Sequence, residues 1–232
     1  MAINVNKVYR VVLAILNKEQ RGYLTPDQFN RLGRQAQLDL FEKSFYDYNR
    51  QLSKRNIQGV NSEYGDIADN IEEKIDLFAK SSTQTITNGA FSSPADLYRI
   101  IQIVKTDRIT EIEKVKKSEY VYLGSSKLTQ PSTDFPIYYF DNEQFNILPN
   151  SLSQCVIDYI RRPADPSWAF TTGASGQYIY DANNSQNFEL HESDETDLVI
   201  KILALAGLMV QDIGIYQVAT AEEAKDVQQQ KA

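Results

Sequence analysis

The residues most often used for proton transfer and nucleophilic attack are scarce in this chain: its 232 residues include one histidine and one cysteine. A catalytic triad, a two-histidine metal site or a histidine proton relay would each need more imidazole than that. His191 lies in Glu189-Leu190-His191-Glu192, just ahead of a helix pattern. It reads as a polar residue of the turn, with a pH-sensitive contact as the less favoured alternative. Cys155 stands beside Val156 and Ile157 in a strand pattern, the setting of a buried structural thiol; a nucleophilic one wants electropositive, partly exposed surroundings. A single cysteine also excludes an internal disulfide framework and fits a reducing cytoplasm.

Carboxylates are plentiful, in Glu72-Glu73, in Glu192 with Asp194 and Glu195, and in Glu222-Glu223. Acid–base catalysis needs two such groups facing each other across a cleft in different environments. These pairs instead fall on solvated helix faces or helix starts. Calcium loops of the Asp-x-Asp type are absent, as are the GxxxxGK[ST], GxGxxG and GxSxG motifs. Gly173-Ala174-Ser175-Gly176 lacks the lysine and the preceding strand of a phosphate loop, and reads as a flexible turn. Arg161-Arg162-Pro163, with Lys114, Lys116 and Lys117 upstream, is the compact basic cluster. A solvated strand end or a salt-bridging interface is its commoner meaning. The net charge of −7 argues against a grip on nucleic acid, which needs a basic face to displace counterions. The expectation is a protein that is not an enzyme and uses no cofactor and no metal.

The elements that would position any site begin with helices. Val5, Val8, Val12, Ile15 and Leu16 recur at spacings of three and four, one apolar stripe on a first helix. Thr25-Pro26-Asp27-Gln28 is a helix start: Thr25 and Gln28 can cap each other, and Pro26 takes the first helical position. The long helix that follows carries Phe29, Leu32, Ala36 and Leu40, then Phe41, Phe45, Tyr48 and Leu52 as the stripe drifts. A helix of that length must pack along most of itself, so the first helix or a neighbouring subunit is expected beside it. Asn56 to Gly65 reads as a loop, Ile67 to Phe78 as a third helix, and the polar stretch Ser81 to Ser93 as a linker or mobile loop.

From Asp96 the pattern turns to strands: Leu97 to Val104, Ile109 to Val115, Glu119 to Leu123, and Gln154 to Arg162. Ile137 to Phe140 and Phe145 to Leu148 form a hairpin about Asp141-Asn142-Glu143. Asp165 to Asn187 reads as a long irregular segment. Ser193-Asp194-Glu195 opens a last helix, whose stripe is Leu198, Ile202, Leu205 and Met209. The class is therefore α+β: N-terminal helices, a central antiparallel β-sheet, and a C-terminal helix with an extended tail. The divisions expected are a helical region over 1–92, a β region with its long loop over 93–190, the last helix over 191–213 packed on the helical region, and a flexible tail over 214–232.

No run of 18 apolar residues exists; Leu198 to Val210 contains Lys201 and is a packed helix, so no membrane contact is expected. The start of the chain lacks a signal-peptide order. The 14 tyrosines fit either an interface-rich surface or a β-rich middle segment.

Several segments, in order, resemble virion proteins of tailed bacteriophages. They are the opening Val8 to Asn49, with its Leu16 to Tyr23 joint and Thr25-Pro26 helix start, Ser93-Pro94-Ala95-Asp96-Leu97-Tyr98-Arg99, Phe135-Pro136-Ile137-Tyr138-Tyr139, Ile147-Leu148-Pro149, Tyr159 to Pro163, and Asn187 to His191 before Leu205-Ala206-Gly207. Together they cover most of the chain and are similar to neck and connector ring proteins, including those of crAss-like phages. The resemblance implies a head-to-tail adaptor, a ring of about twelve copies beneath the portal protein, touching adjacent neck or tail rings while DNA passes through without specific binding. It implies a virion location after synthesis in the host cytoplasm. An assembly factor or scaffold that leaves the particle is the alternative. A closed ring needs two different complementary faces, and the candidates are Val8, Val12, Phe41, Phe45, Tyr48, Trp168, Phe170, Tyr178, Tyr180, Leu205, Met209 and Tyr216.

Overall fold

A computed structural model describes residues 2–18, 24–58, 71–210 and 221. They form two compact units, one from residues 1–77 and 163–232, the other from 78–162. The fold is α+β, as expected, but its division differs from the expected one: the β region begins at 78, and 163–190 belongs with the helices.

The first unit holds α1 (Val5–Lys18), α2 (Pro26–Gln58), a short helix α3 (71–76) and α5 (Glu195–Val210). Asn4 caps α1 by accepting from the Lys7 N–H at 3.0 Å. The α2 start closes as its sequence predicts: Thr25 N–H donates to Gln28 Oε1 at 3.0 Å, and Gln28 N–H to Thr25 Oγ1 at 3.3 Å. Asn56, Ile57 and Gln58 extend α2 where a loop is expected; the rest of that stretch, and 67–70 of the expected third helix, lie outside the described residues.

The chief partner of α2 is α5, where the sequence pointed to α1 or a neighbouring subunit. Leu198, Ile202 and Ala206 of α5 are completely buried, and Val199, Leu203 and Ala204 nearly so. That breadth of apolar surface lets one helix fill the space against both α1 and α2. Lys7 to Glu195 at 2.8 Å and Lys201 to Asp39 at 3.6 Å bridge the helices at their edges. Gln37 on α2 is buried, and its amide is satisfied at both ends: Nε2 donates to the Ala164 carbonyl at 2.8 Å, and Oε1 accepts from the Glu189 N–H at 2.9 Å. It pins both ends of the 163–190 excursion to the helices. Ile3 and Phe188 add a two-way backbone bridge.

The segment Asp165–Asn187, expected to be irregular, contains a hairpin of β8 (Phe170–Thr172) and β9 (Tyr178–Tyr180). Gly173 to Gly176 is its turn, with Gly176 at a φ of 76°.

The second unit has two sheets. One is ordered β1-β7-β3, from β1 (Ala79–Thr85), β7 (Gln154–Arg161) and β3 (Leu97–Lys105), all antiparallel. The other is β2-β6-β5-β4, from β2 (Ala90–Ser92), β6 (Gln144–Leu148), β5 (Ile137–Asp141) and β4 (Glu113–Lys114). Here β4 runs parallel to β5, so this sheet is mixed where a purely antiparallel one is expected. Ile103, Cys155, Ile157 and Tyr159 from the first sheet meet Phe91, Tyr138, Phe145 and Ile147 from the second in one core.

Two expectations fail here for identifiable reasons. The polar stretch 81–93 is not a linker, because Thr87-Asn88-Gly89-Ala90 is a tight turn with Asn88 at a φ of 54° and Gly89 at 76°. Positive φ at both central positions is what Asn-Gly supplies to a two-residue turn whose twist matches its flanks. Strand β1 is polar because it is an edge with most side chains in solvent. Glu119 to Leu123 is not a strand: helix α4 (Lys117–Ser125) forms there, with Glu119 Oε2 accepting from the Lys116 N–H at 3.1 Å across its first turn. Tyr120 then packs edge-on against Tyr139 of β5, ring centroids 4.5 Å apart. The expected β5–β6 hairpin is present with Asn142 and Glu143, both at positive φ, at its tip.

Candidate functional site

Cys155 and His191, the two residues best suited by type to do chemistry, each have a structural role. Cys155 is fully buried, and burial pushes its thiol up to about 12, so it is protonated and shielded. The ring Nδ1 of His191 accepts from the Ser193 N–H at 3.3 Å and lies 2.8 Å from Ser193 Oγ, capping the short 3-10 turn Glu192–Asp194 before α5. Asp96 is held below the ordinary carboxylate range, chiefly by the Lys80 ammonium and also by Tyr159 Oη, which donates to it at 2.8 Å. Burial pushes the Asp158 carboxyl up, but donation from Ser81 Oγ and from Gln102 Nε2 outweighs it, leaving the group below its ordinary value. Both clusters lock neighbouring strands of the β1-β7-β3 sheet. Among the described residues no group of three His, Cys, Asp or Glu side chains stands close enough to hold a metal ion, and no helix is long and apolar enough to cross a membrane.

Aromatic and exposed apolar side chains gather at one place in each unit. In the first unit the aromatic rings gather. Trp168 lies with its centroid 4.3 Å from Tyr9 of α1, 5.9 Å from Phe170 and 5.7 Å from Tyr180; Phe170 in turn meets Tyr178 at 4.7 Å. Trp168 is pinned on three sides. Its Nε1 donates to Asn6 Oδ1 at 3.1 Å, its N–H donates to Asn30 Oδ1 at 2.8 Å, and its carbonyl accepts from Asn30 Nδ2 at 3.3 Å. The hairpin β8–β9 thereby stands against α1 and leaves a cavity of about 390 Å³, walled by Tyr9, Leu13, Trp168, Tyr178 and Tyr180, with Arg10 at its edge. Arg10 is exposed and has no ion-pair partner among the described residues.

In the second unit the loop after α4 turns apolar groups outward. Leu128 is 94% exposed and Phe135 80% exposed. Ser126 Oγ accepts from the Thr129 N–H, and Ser132 Oγ from the N–H groups of Asp134 and Phe135, so the loop has fixed turns. Pro131 and Pro136 stiffen it further. Val121 and Tyr122 on α4 and Ile109 at the β3–β4 turn are also exposed.

The expected interface residues separate accordingly. Val8, Val12, Phe41, Phe45 and Trp168 are corrected: all are buried within their own chain, on elements that include α1 and α2, both of which pack against α5. Tyr48, Phe170, Tyr180 and Leu205 are half-buried, and Tyr178 is exposed at the cavity mouth. Tyr216 and the side chain of Met209 lie outside the described residues. Leu128, Phe135, Val121, Tyr122, Ile109 and Arg10 are exposed residues that the sequence pattern did not single out. Leu128 and Phe135 sit in a Ser-, Thr- and Pro-rich stretch with no periodicity, and that absence of any face to belong to was the available signal.

No family model matches the chain, and no curated protein is significantly similar to it.

Proposed function

We propose that this chain is a structural subunit of a phage virion, forming with copies of itself an oligomeric ring in the neck below the portal, through which DNA passes. The observation that carries the reading is the set of apolar side chains turned outward from fixed elements: Val121 and Tyr122 on α4, and Leu128 and Phe135 on the loop after it. An almost wholly exposed leucine and phenylalanine on a stiffened loop are groups that a subunit covers on assembly. The ordered resemblance to neck and connector proteins supports the kind of assembly. The acidic balance supports a conduit, since like charge lets a duplex slide past without being held.

The test is quantitative mass spectrometry of purified virions, with the portal protein as the internal standard. A copy number equal to the portal's, or in a simple small ratio to it, is the expected result. Absence from clean particles refutes the neck assignment and favours an assembly factor, which would use the same exposed groups transiently.

A further inference from the structure

We propose that the Leu128–Phe135 loop of one copy inserts into the Tyr9–Trp168–Tyr178 cavity of a second copy, with Asp134 paired to Arg10 at the edge. The inference deepens the ring reading and rests on it. Three features carry it. Arg10 and Asp134 are exposed ions of opposite sign, and neither has an ion-pair partner among the described residues. The cavity, about 390 Å³, is lined by Tyr9, Trp168, Tyr178 and Tyr180 together with the polar Asn6 and Gln177, room for an aromatic ring of the loop. Phe135 and Leu128 are almost wholly exposed on a loop whose turns Ser126 and Ser132 fix. A loop already fixed in its outward form loses little conformational freedom on insertion.

The two surfaces are different, so the contact is head-to-tail, the type that closes into a ring when the rotation per subunit allows. One loop buries too little area to hold a ring by itself. It acts as a key that sets orientation and register, with the remaining interface supplying area.

The experiment traps the contact chemically. Gln177, exposed at the cavity mouth, is changed in one preparation (Gln177→Cys), and Thr133, exposed on the loop, in another (Thr133→Cys). Cys155 is buried and does not compete. Mixed and oxidised at high concentration, the two chains are expected to form a disulfide-linked pair at least about tenfold faster than either forms with a Tyr46→Cys chain. Adding Arg10→Asp to the cavity chain suppresses the pair by about tenfold or more, because like charges then face each other. Adding Asp134→Arg to the loop chain restores it. Circular dichroism verifies that each variant is folded, as substitution at exposed positions should leave it. No preferential 133–177 pair, or no restoration by the double reversal, overturns the inference. The virion copy number decides the neck assignment separately, so a subunit present in particles but failing this trap retains its place and loses only this contact.

Discussion

Gln37 offers a direct test of how the first unit is held together. Its side chain is 2% exposed, and its two hydrogen bonds join α2 to backbone groups at Ala164 and Glu189. Removing the amide with Gln37→Ala forfeits two bonds worth roughly 1 kcal/mol each and leaves a cavity costing about 1 kcal/mol more. Ala164 is exposed, so its carbonyl can be rehydrated, which holds the total to about 2–3 kcal/mol. Gln37→Glu makes a sharper test. The introduced carboxylate can accept from the Glu189 N–H but meets the Ala164 carbonyl without a proton to donate. It also adds charge near the Glu189 carboxylate, which accepts from the Ala164 N–H at 2.7 Å. Burial and like charge both favour the neutral form, so the introduced group's folded pKa lies above its unfolded value of about 4.3. The variant should therefore approach wild-type stability below about pH 4.3 and lose ground as pH rises through the folded pKa. Urea unfolding followed by fluorescence of Trp168, the single tryptophan and a buried residue of this unit, reads the effect directly. A Gln37→Ala loss below about 0.5 kcal/mol, or a Gln37→Glu loss independent of pH, would refute the pinning argument.

Further outcomes follow from the second unit. Gly89→Ala should destabilise by about 1–3 kcal/mol, since the position has positive φ and a Cβ there would run into the Asn150 side chain; a thermal midpoint unchanged from wild type would count against the turn. Glu143→Gly should raise stability by about 0.5–1 kcal/mol by relieving a left-handed non-glycine residue at the β5–β6 tip, measurable as a higher urea midpoint. Cys155 should react with an aromatic disulfide reagent at pH 8 only as fast as the unit opens, and at full speed in denaturant; rapid labelling of the folded chain would contradict its burial. Asp158 has its folded pKa below its unfolded one, so its stabilisation is present above about pH 3.9 and fades as pH falls through the folded value. Asp158→Asn should cost up to about 1 kcal/mol at pH 7 and less at pH 3; an equal cost at both would remove the carboxylate from the account.

What the sequence by itself determined were features whose causes are local. The Thr25–Gln28 cap, the stripes of α1 and α5, the β5–β6 hairpin and the burial of Cys155 each depend on residues within one or two turns or one strand, and so they could be read in order along the chain. From them the α+β class followed. Only the tertiary structure decided which apolar faces remain open. Phe41 and Phe45 are buried on a helix whose chief partner, α5, comes about 150 residues later, and Trp168 is held by Tyr9 and Asn6 at the other end of the chain. Strand β1 was invisible as a strand because an edge needs no alternating apolar face once β7 supplies its hydrogen bonds. Gln37 looked like any surface glutamine until two distant backbone segments met it. The exposure of Leu128 and Phe135 is equally non-local: periodicity tells which residues share a face, and only the assembled neighbours tell whether that face is covered.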